Sequence, residues 1–422
     1  MQGRRAKIAF PIEIRPSAMH AHPMPENPAS TRNGAPDRSR TFAEYFAGIG
    51  LMRMGLEAVG WNIAFANDID PDKKGMYQEH FRDAQDHFAL GDIHQLDVQT
   101  IPTTDLATAS FPCNDLSLAG SRRGLEGKQS SAFWGFVRIL REMGDRKPPV
   151  ILLENVAGFL TSHNGADIHS ALTALNDLGY AVDIVIIDAE RFVPQSRVRL
   201  FVVGARADRL SNYHGAQMVE ETASFFECPV RPKAVARFIF EHPDIQWLPR
   251  CLPALPRRTR VLKDILEDLP EDSGYWWSAE RTEYLAGQMN DRHSAVLQTM
   301  KKAREWSYGT VFRRVRNGRS MAEMRTDGIA GCLRTPRGGS GRQILVRAGF
   351  GKVNARLLTP RECARLMGAN DFRINTTLNK ALFGFGDAVC VPVISWIAEN
   401  YLNPLFREIE ATEQSVSTQL SA

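Results

Sequence analysis

The feature that most constrains the fold is an alternation of short apolar runs with segments of helical spacing, which extends from about Thr41 to Arg206. Apolar side chains in the intervening segments recur every three or four residues, as at Phe133, Val137 and Leu140. This alternation is typical of a doubly wound α/β fold with a mainly parallel sheet, whose binding sites lie at the carboxyl ends of the strands. The strand candidates are 42–46, 63–67, 107–111, 150–156, 181–188 and 200–203.

The alternation ends after Arg206, and residues 206–350 are rich in Arg, Gly, Pro and Trp without a sustained period. Twelve Lys or Arg and three acids fall between Lys301 and Arg347, so this stretch has a net charge of +9, whereas the whole chain has +4. A chain of 422 residues exceeds the usual size of one core, which favours two domains. We predict a flexible leader (1–40), a first domain (41–205), a smaller loop-rich domain (206–350), a return to the first domain (351–402) and a flexible tail (403–422).

Composition argues against several other classes of protein. The chain is 43% hydrophobic and 24% charged, as in ordinary globular proteins. Its apolar runs stop at acids such as Glu154 and Asp188, well short of the roughly 18 residues that a membrane span needs. No secretory signal is recognisable at the N-terminus. Without a span or a signal we expect a cytoplasmic location, and there the six cysteines, which form no CxxC pair, are expected to be free thiols without a metal site.

A glycine turn follows the first predicted strand. Phe46, Gly48 and Gly50 form an FxGxG pattern ahead of a helical stretch, and glycine lets the backbone approach a ligand closely. Asp68 follows the second strand, where a carboxylate can accept hydrogen bonds from ribose hydroxyls. Arg53 stands where a dinucleotide fingerprint has its third glycine, which argues against a bound pyrophosphate. The pattern therefore indicates an adenosine cofactor, although a GxG pair also occurs in simple tight turns.

Two further polar residues follow predicted strands. Cys113 comes directly after Pro112 on a turn, where a thiol can act as a nucleophile if cationic neighbours favour the thiolate. An isolated cysteine is more often an inert core residue. Asp92, in the sequence Gly91-Asp92-Ile93, can contact the amino group of an adenine or cap a helix.

Polar and charged residues also lie at the end of the predicted strand 150–156 and near the start of the strand 200–203. Glu154 and Asn155 end an apolar strand at the ligand-binding edge, and a buried glutamate must be paired or hold a proton. A purely structural ion pair is the alternative there. Arg197 and Arg199 point the same way along the next strand, so both can face the Cys113 turn or lie solvated on an edge strand.

In this order and spacing, these blocks resemble the C5-cytosine DNA methyltransferases of bacterial restriction-modification type. The resemblance covers about 41–204 and 352–402, and it includes a late helix, 356–367, for which Thr359, Pro360 and Glu362 predict a capped start. Residues 206–350 fall where this family has its target-recognition domain. The matching blocks are Phe46-x-Gly48-x-Gly50, Pro112-Cys113, Glu154-Asn155-Val156 and Gln195-x-Arg197-x-Arg199. The chain departs from the usual pattern at Asn114 and Asp387, where the family often has Gln and Asn.

The resemblance implies a Rossmann-like fold, S-adenosyl-L-methionine as the methyl donor and a role for each matching residue. The cofactor site would comprise Phe46 against the adenine, Asp68 on the ribose and Asp92 near the adenine amino group, together with Gly48, Gly50, Ile69 and Ile93. The catalytic residues would be Cys113, which adds to C6 of cytosine, Glu154 at N3, Asn155 steadying the Pro-Cys turn, and Arg197 and Arg199 holding the base or a nearby phosphate.

Such chemistry requires the cytosine to leave the stacked duplex. The loop 117–130 is suited to close over the displaced base. The arginines suited to contact phosphates and guanine edges are Arg313, Arg314, Arg316, Arg319, Arg334, Arg337 and Arg342. We therefore expect an enzyme that methylates C5 of cytosine in a specific double-stranded DNA sequence, possesses no membrane anchor and is accompanied by a cognate restriction endonuclease. An RNA cytosine-5 methyltransferase and an inactive DNA-binding module of the same fold are the alternatives.

Overall fold

The computed structural model describes residues 39–112, 132–211, 213, 223–316, 318–335 and 341–420, without the side chains of Phe225 and 416–420. The predicted nucleophile Cys113, the predicted closing loop 117–130, Arg337 and nearly all of the predicted leader lie outside these residues.

Seven strands form the main sheet, in the order β3-β2-β1-β4-β5-β7-β6. All neighbouring pairs are parallel except those of β7, which is antiparallel to both β5 and β6. The mainly parallel, doubly wound sheet predicted from the sequence is confirmed. The strands are β1 (Arg40–Tyr45), β2 (Trp61–Asp68), β3 (Phe88–Leu90), β4 (Leu106–Ala109), β5 (Val150–Val156), β6 (Tyr180–Asp188) and β7 (Val198–Arg206). The strand order reverses between β1 and β4, the position at which such sheets open a crevice for a ligand.

Helices cover both faces of this sheet. Within β5, Leu152 faces one apolar core and Ile151 and Leu153 face the other. A strand buried on both faces needs a continuous apolar run rather than an alternating one, which the sequence 150–153 supplies. The helices are α1 (Leu51–Glu57), α2 (Pro71–His80), α3 (Ala132–Met143), α4 (Ala166–Asp177), α5 (Lys233–Glu241), α6 (Ala279–Ala286), α7 (Asp291–Lys302), α8 (Pro360–Leu366), α9 (Leu378–Asp387), α10 (Val391–Ile397) and α11 (Asn403–Leu420).

A second sheet lies in the basic region that the sequence predicted to be loop-rich. Its strands are β8 (Ser307–Arg316), β9 (Arg319–Arg325), β10 (Ile344–Gly349) and β11 (Lys352–Leu357), and they pair antiparallel in the order β11-β10-β8-β9. Leu297 and Met300 of α7 share a separate apolar core with Val311 and Val346 of this sheet. The predicted boundary at 350 falls inside the β10–β11 hairpin, and the division into domains stays a prediction.

The predicted start of the late helix is confirmed. Thr359 caps α8, Pro360 is its first residue, and the Glu362 carboxylate accepts a hydrogen bond from the Thr359 N–H in a capping box. The helix itself is shorter than 356–367, because β11 extends to Leu357.

The prediction of a flexible tail over 403–422 is wrong for its described part. Residues 403–420 form α11, and Leu405, Phe406 and Ile409 are buried in the main core. The Trp61 indole N–H also donates to the Asn403 side-chain oxygen at 2.9 Å. By length and composition, the helical stretch Leu378–Ser415 is apolar enough to cross a membrane, but 72% of its most apolar window is buried inside the protein, as in a core helix.

Candidate active site

The turn after β1 is held in left-handed backbone conformations and locked by Asp68. Phe46, Gly48 and Gly50 have φ values of 58°, 57° and 83°. One Asp68 carboxylate oxygen accepts the Gly48 N–H at 2.8 Å, and the other accepts the Asp70 N–H at 2.9 Å. A carboxylate has about four acceptor positions, so Asp68 retains capacity for hydroxyl donors. Burial raises the pKa of Asp68 above its ordinary value, while Lys73 and the two N–H groups act in the opposite direction.

The two glycines of the turn have different surroundings. A Cβ on Gly50 would overlap the Phe81 ring and lie 2.8 Å from Tyr77 Cδ2, so Gly50 is required by close packing. A Cβ on Gly48 would have the Phe46 carbonyl oxygen, 3.9 Å away, as its nearest neighbour among the described residues. The open side of the turn is therefore at Gly48, where a ligand can approach the backbone.

The acid after β3 lies close to the end of β2. The Asn67 side chain donates to the carbonyls of Ala89 and Gly91, each at 3.0 Å, and so joins β2 to the Asp92 loop. Asp92 caps the short turn that follows it by accepting the His94 N–H at 2.9 Å, as one of the alternatives predicted. Its contact with an adenine stays a prediction. The Ile93 side chain is buried in the core, so an assignment of Ile93 to the cofactor site would have to rest on its backbone.

The donor set fits a nucleoside without a diphosphate. Ile69, directly after Asp68, is 65% exposed and can pack against a flat ring. Arg53, at the position of the missing third glycine, is directed into the protein: it pairs with Glu57 and Asp83 at 2.7 Å and donates to the Tyr77 hydroxyl at 3.2 Å. Since these partners occupy Arg53, it does not offer a phosphate cradle.

Glu154 and Arg199 form an ion pair at the carboxyl end of β5. Arg199 Nε lies 2.8 Å from Glu154 Oε1, across the antiparallel pairing of β5 with β7. Glu154 is buried and Arg199 half-buried. The pairing that a buried glutamate requires is therefore present, and the roles of both residues stay predictions.

Asn155 fixes the backbone that leads to Cys113. Its side-chain N–H donates to the Phe111 carbonyl at 3.2 Å, and its side-chain oxygen accepts the Val156 N–H at 2.8 Å. Phe111 is two residues before Cys113. Asn155 therefore fixes the backbone just ahead of the predicted nucleophile.

Arg197 does not share the surroundings of Arg199. It is 2% exposed, and its guanidinium donates to the carbonyls of Leu333 at 2.9 Å, Gly386 at 3.1 Å and Ala388 at 2.5 Å. Burial lowers the pKa of Arg197. The alternative of solvated arginines on an edge strand is wrong, because β7 lies between β5 and β6. Arg197 instead ties two distant segments to the start of β7.

Cys332 is a neighbour of this site that the sequence did not indicate. Its Sγ lies 3.4 Å from the Arg197 guanidinium, although the two residues are far apart in the sequence. Burial acts to raise the pKa of Cys332, but the positive charges of Arg197, Arg199 and Arg334 outweigh burial, and the pKa lies below its ordinary value. Among the described residues, no group of three His, Cys, Asp or Glu side chains is arranged to hold a metal ion.

The predicted DNA-contacting arginines lie mainly on the β8–β9 hairpin. Arg314 is paired with Glu323, and Arg316 lies 3.6 Å from the same carboxylate. Arg319, at the start of β9, is exposed, as is the neighbouring Val315. In the segment after β9, Arg334 is exposed and Arg342 donates to the Asn379 side chain at 2.9 Å.

The doubly wound sheet, the open turn after β1 and the acid after β2 are the features of a Rossmann-like α/β protein with a site suited to a nucleoside. The model of the family described as C-5 cytosine-specific DNA methylase matches residues 40–403, and the chain belongs to this family.

Relatives and solved structures agree with this membership. The chain is 27% identical over 366 residues to the Type II methyltransferase M.HhaI of Haemophilus parahaemolyticus, covering 85% of this chain and 93% of that protein. It is 31% identical over 376 residues to M.DsaV of Dactylococcopsis salina, covering 88% of each chain. The crystal structure of S. pombe Dnmt2 methyltransferase has the same fold, with a TM-score of 0.57, 20% identity and coverage of 87% of this chain and 99% of that one. The protein is thus a DNA cytosine-5-methyltransferase that uses S-adenosyl-L-methionine, as predicted.

Proposed function

We propose that the enzyme methylates C5 of a cytosine flipped out of a specific duplex DNA sequence, through a covalent bond between Cys113 Sγ and C6. The observation that carries this proposal is the pair of contacts at the end of β5. Asn155 holds the Phe111 carbonyl, and the neighbouring Glu154 is held by Arg199. Both functional groups therefore lie at the end of β5, where Asn155 contacts the neighbouring segment that follows β4 and leads to Cys113.

The reaction must first activate C5 of cytosine, because this carbon is a poor nucleophile. Cys113 and Glu154 are suited to that step. The Cys113 thiolate adds to C6 and the electron pair of the C5–C6 bond moves into the ring, which makes C5 an enamine-like carbon. In its protonated form, Glu154 supports the addition by donating a proton or hydrogen bond to N3, which draws negative charge off the ring, and it takes this proton back when the sulfur leaves. Arg199 keeps the Glu154 carboxyl group in place for this contact.

Bound S-adenosylmethionine supplies an electrophilic methyl group, and Gly48, Asp68 and Ile69 are the residues placed to hold its nucleoside part. After C5 has taken the methyl group, a base removes the C5 proton. The electrons of that C–H bond then restore the C5–C6 double bond, and the Cys113 sulfur leaves with the electrons of its bond to C6. The cysteine is unchanged after one turnover.

We also propose that the β8–β9 hairpin contacts the duplex. Its exposed residues Arg316 and Arg319 can neutralise phosphates or donate to guanine edges, which favours a target sequence containing guanine. The name Type II in both relatives supports a cognate restriction endonuclease as a genetic partner and a cytoplasmic location on the nucleoid. Deletion of the gene in its native host should then cause chromosome breaks, and an undamaged deletion strain would exclude an active partner.

Transfer of tritiated methyl groups to DNA tests the catalytic proposal. Cys113→Ser should abolish incorporation while leaving the affinity for the methyl donor within about twofold, and Cys251→Ser, at an exposed free thiol, is the matched control. Glu154→Gln should lower the rate by about 100-fold or more, as for loss of a general acid, whereas Glu142→Gln in an exposed ion pair should not. Turnover retained by Cys113→Ser would refute the proposal.

Comparing substrates in the same assay separates the alternatives. The account predicts incorporation into duplex DNA and none into tRNA. Preferred incorporation into tRNA would assign the enzyme to RNA, and no incorporation into either would favour an inactive binding module.

A further inference from the structure

The turn at the end of α9 lies between Arg197 and the helix that follows Asp68, the predicted cofactor acid. Arg197 holds this turn through the carbonyls of Gly386 and Ala388. Between them, the Asp387 carboxylate accepts a hydrogen bond from Lys73 Nζ at 2.8 Å. Lys73 lies in the first turn of α2, five residues after Asp68. Asp387 is also the position at which the chain departs from the family's usual asparagine.

Lys73 interacts with carboxylates on two sides. Burial acts to lower the pKa of Lys73, but Asp387, Asp68 and Asp70 together raise it above the ordinary value. Lys73 in turn acts to lower the pKa of Asp68, against the effect of burial. The ammonium group is thus the cation that offsets both the predicted ribose acid and the acid of the α9 turn.

A second ion pair joins the same two helices and provides a comparison. Lys380 of α9 lies 2.7 Å from Asp72 of α2, with side chains that are 49% and 57% exposed. The Lys73 and Asp387 side chains are 20% and 42% exposed. Charges in the better buried pair are screened less by water and salt, so a change there has the larger effect on a nearby ligand.

We propose that Lys73 and Asp387 form a positioning pair at the methyl-donor site, which sets the relative affinity for the cationic donor and for the product S-adenosylhomocysteine. The product lacks the sulfonium charge, and it is otherwise the same ligand without its methyl group. Two carboxylates without Lys73 would favour the cation, whereas Lys73 without Asp387 would disfavour it. The proposal rests on the assignment of Asp68 to the cofactor site.

The two substitutions should therefore change the affinity ratio in opposite directions. Lys73→Met removes a positive charge and should raise the ratio of the product Kd to the donor Kd by about three- to tenfold, as one unit charge several Å away does at an intermediate dielectric constant. Asp387→Asn keeps an acceptor for Lys73 but removes a negative charge, and it should lower this ratio by a similar factor. Lys73→Arg keeps the positive charge and should leave the ratio as it is in the unmodified enzyme.

Isothermal titration calorimetry of the full chain without DNA, with S-adenosylmethionine and with S-adenosylhomocysteine, measures both constants without relying on turnover. Lys380→Ala is the matched control and should leave the ratio unchanged. A purely structural role would weaken both ligands by the same factor in each variant, and an unchanged ratio would overturn the proposal. If Lys73→Met does not fold, the isosteric Asp387→Asn decides.

Asp68→Ala distinguishes the two levels of the argument. If Asp68→Ala binds both ligands as tightly as the unmodified enzyme, the assignment of the cofactor site fails, and the proposed pair fails with it. If Asp68→Ala loses affinity while Lys73→Met and Asp387→Asn leave the ratio unchanged, the cofactor site stands and only the positioning pair is refuted.

Discussion

Alanine at Gly48 and at Gly50 should separate a ligand-facing glycine from a packing glycine within one turn. Both positions have positive φ, 57° and 83°, and a left-handed alanine costs about 1 to 2 kcal/mol. At Gly50 the added methyl group must also displace the Phe81 and Tyr77 rings, and overpacking costs about 1 to 3 kcal/mol more. We expect Gly50→Ala to lose about 2 to 5 kcal/mol of unfolding free energy and Gly48→Ala about 1 to 2 kcal/mol.

The effects on the cofactor should run in the reverse order. The methyl group of Gly48→Ala enters the open side of the turn, so the affinity for S-adenosylmethionine should fall by about tenfold or more, the equivalent of about 1.4 kcal/mol. Urea unfolding and calorimetric titration of both variants provide the two quantities. A Gly48→Ala variant that binds the donor normally, or a Gly50→Ala variant as stable as the unmodified protein, would refute the distinction.

Three further outcomes are expected. Iodoacetamide at neutral pH should modify Cys332 faster than Cys390, because arginines lower the pKa of Cys332 while burial raises the pKa of Cys390 to about 12; equal rates in peptide mapping would contradict this electrostatic difference. Asp183→Asn should cost about 3 to 5 kcal/mol in urea unfolding, since it leaves Arg231 buried without its carboxylate, and Glu241→Gln in the exposed pair with Arg237 should cost about 1 kcal/mol or less. Arg316→Ala and Arg319→Ala should each reduce the salt dependence of DNA binding by about one phosphate contact, and unchanged slopes would place the hairpin off the DNA.

The main sheet could be predicted because its strands are buried on both faces and its turns use distinctive residues. The apolar run 150–153 can be read directly, and so can Thr359 and Glu362 as a capping box, since each signal lies within a few residues. The second sheet was missed because β8 and β9 contain arginines that pair across strands with partners such as Glu323, which removes the simple alternation of apolar and polar residues.

The site could be predicted as residue types at strand ends but not as a set of contacts. Glu154 and Arg199 are 45 positions apart, and only the pairing of β5 with β7 shows that they form an ion pair. Because Arg197 and Arg199 are two residues apart on a strand, the sequence predicted that both point the same way. The Arg197 side chain instead binds carbonyls from distant segments. Lys73 and Asp387 are 314 positions apart, so no local pattern could join them.

The central claim is that one sulfur atom, that of Cys113, becomes bonded to C6 of the target base. Incubation of the enzyme and S-adenosylmethionine with duplex DNA carrying 5-fluorocytosine at the target position tests this directly, because fluorine at C5 cannot leave as a proton and the adduct persists. The account predicts a denaturation-resistant complex whose mass spectrum assigns the DNA to the peptide containing Cys113. A complex attached through Cys332, or no complex under conditions in which ordinary DNA is methylated, would contradict it.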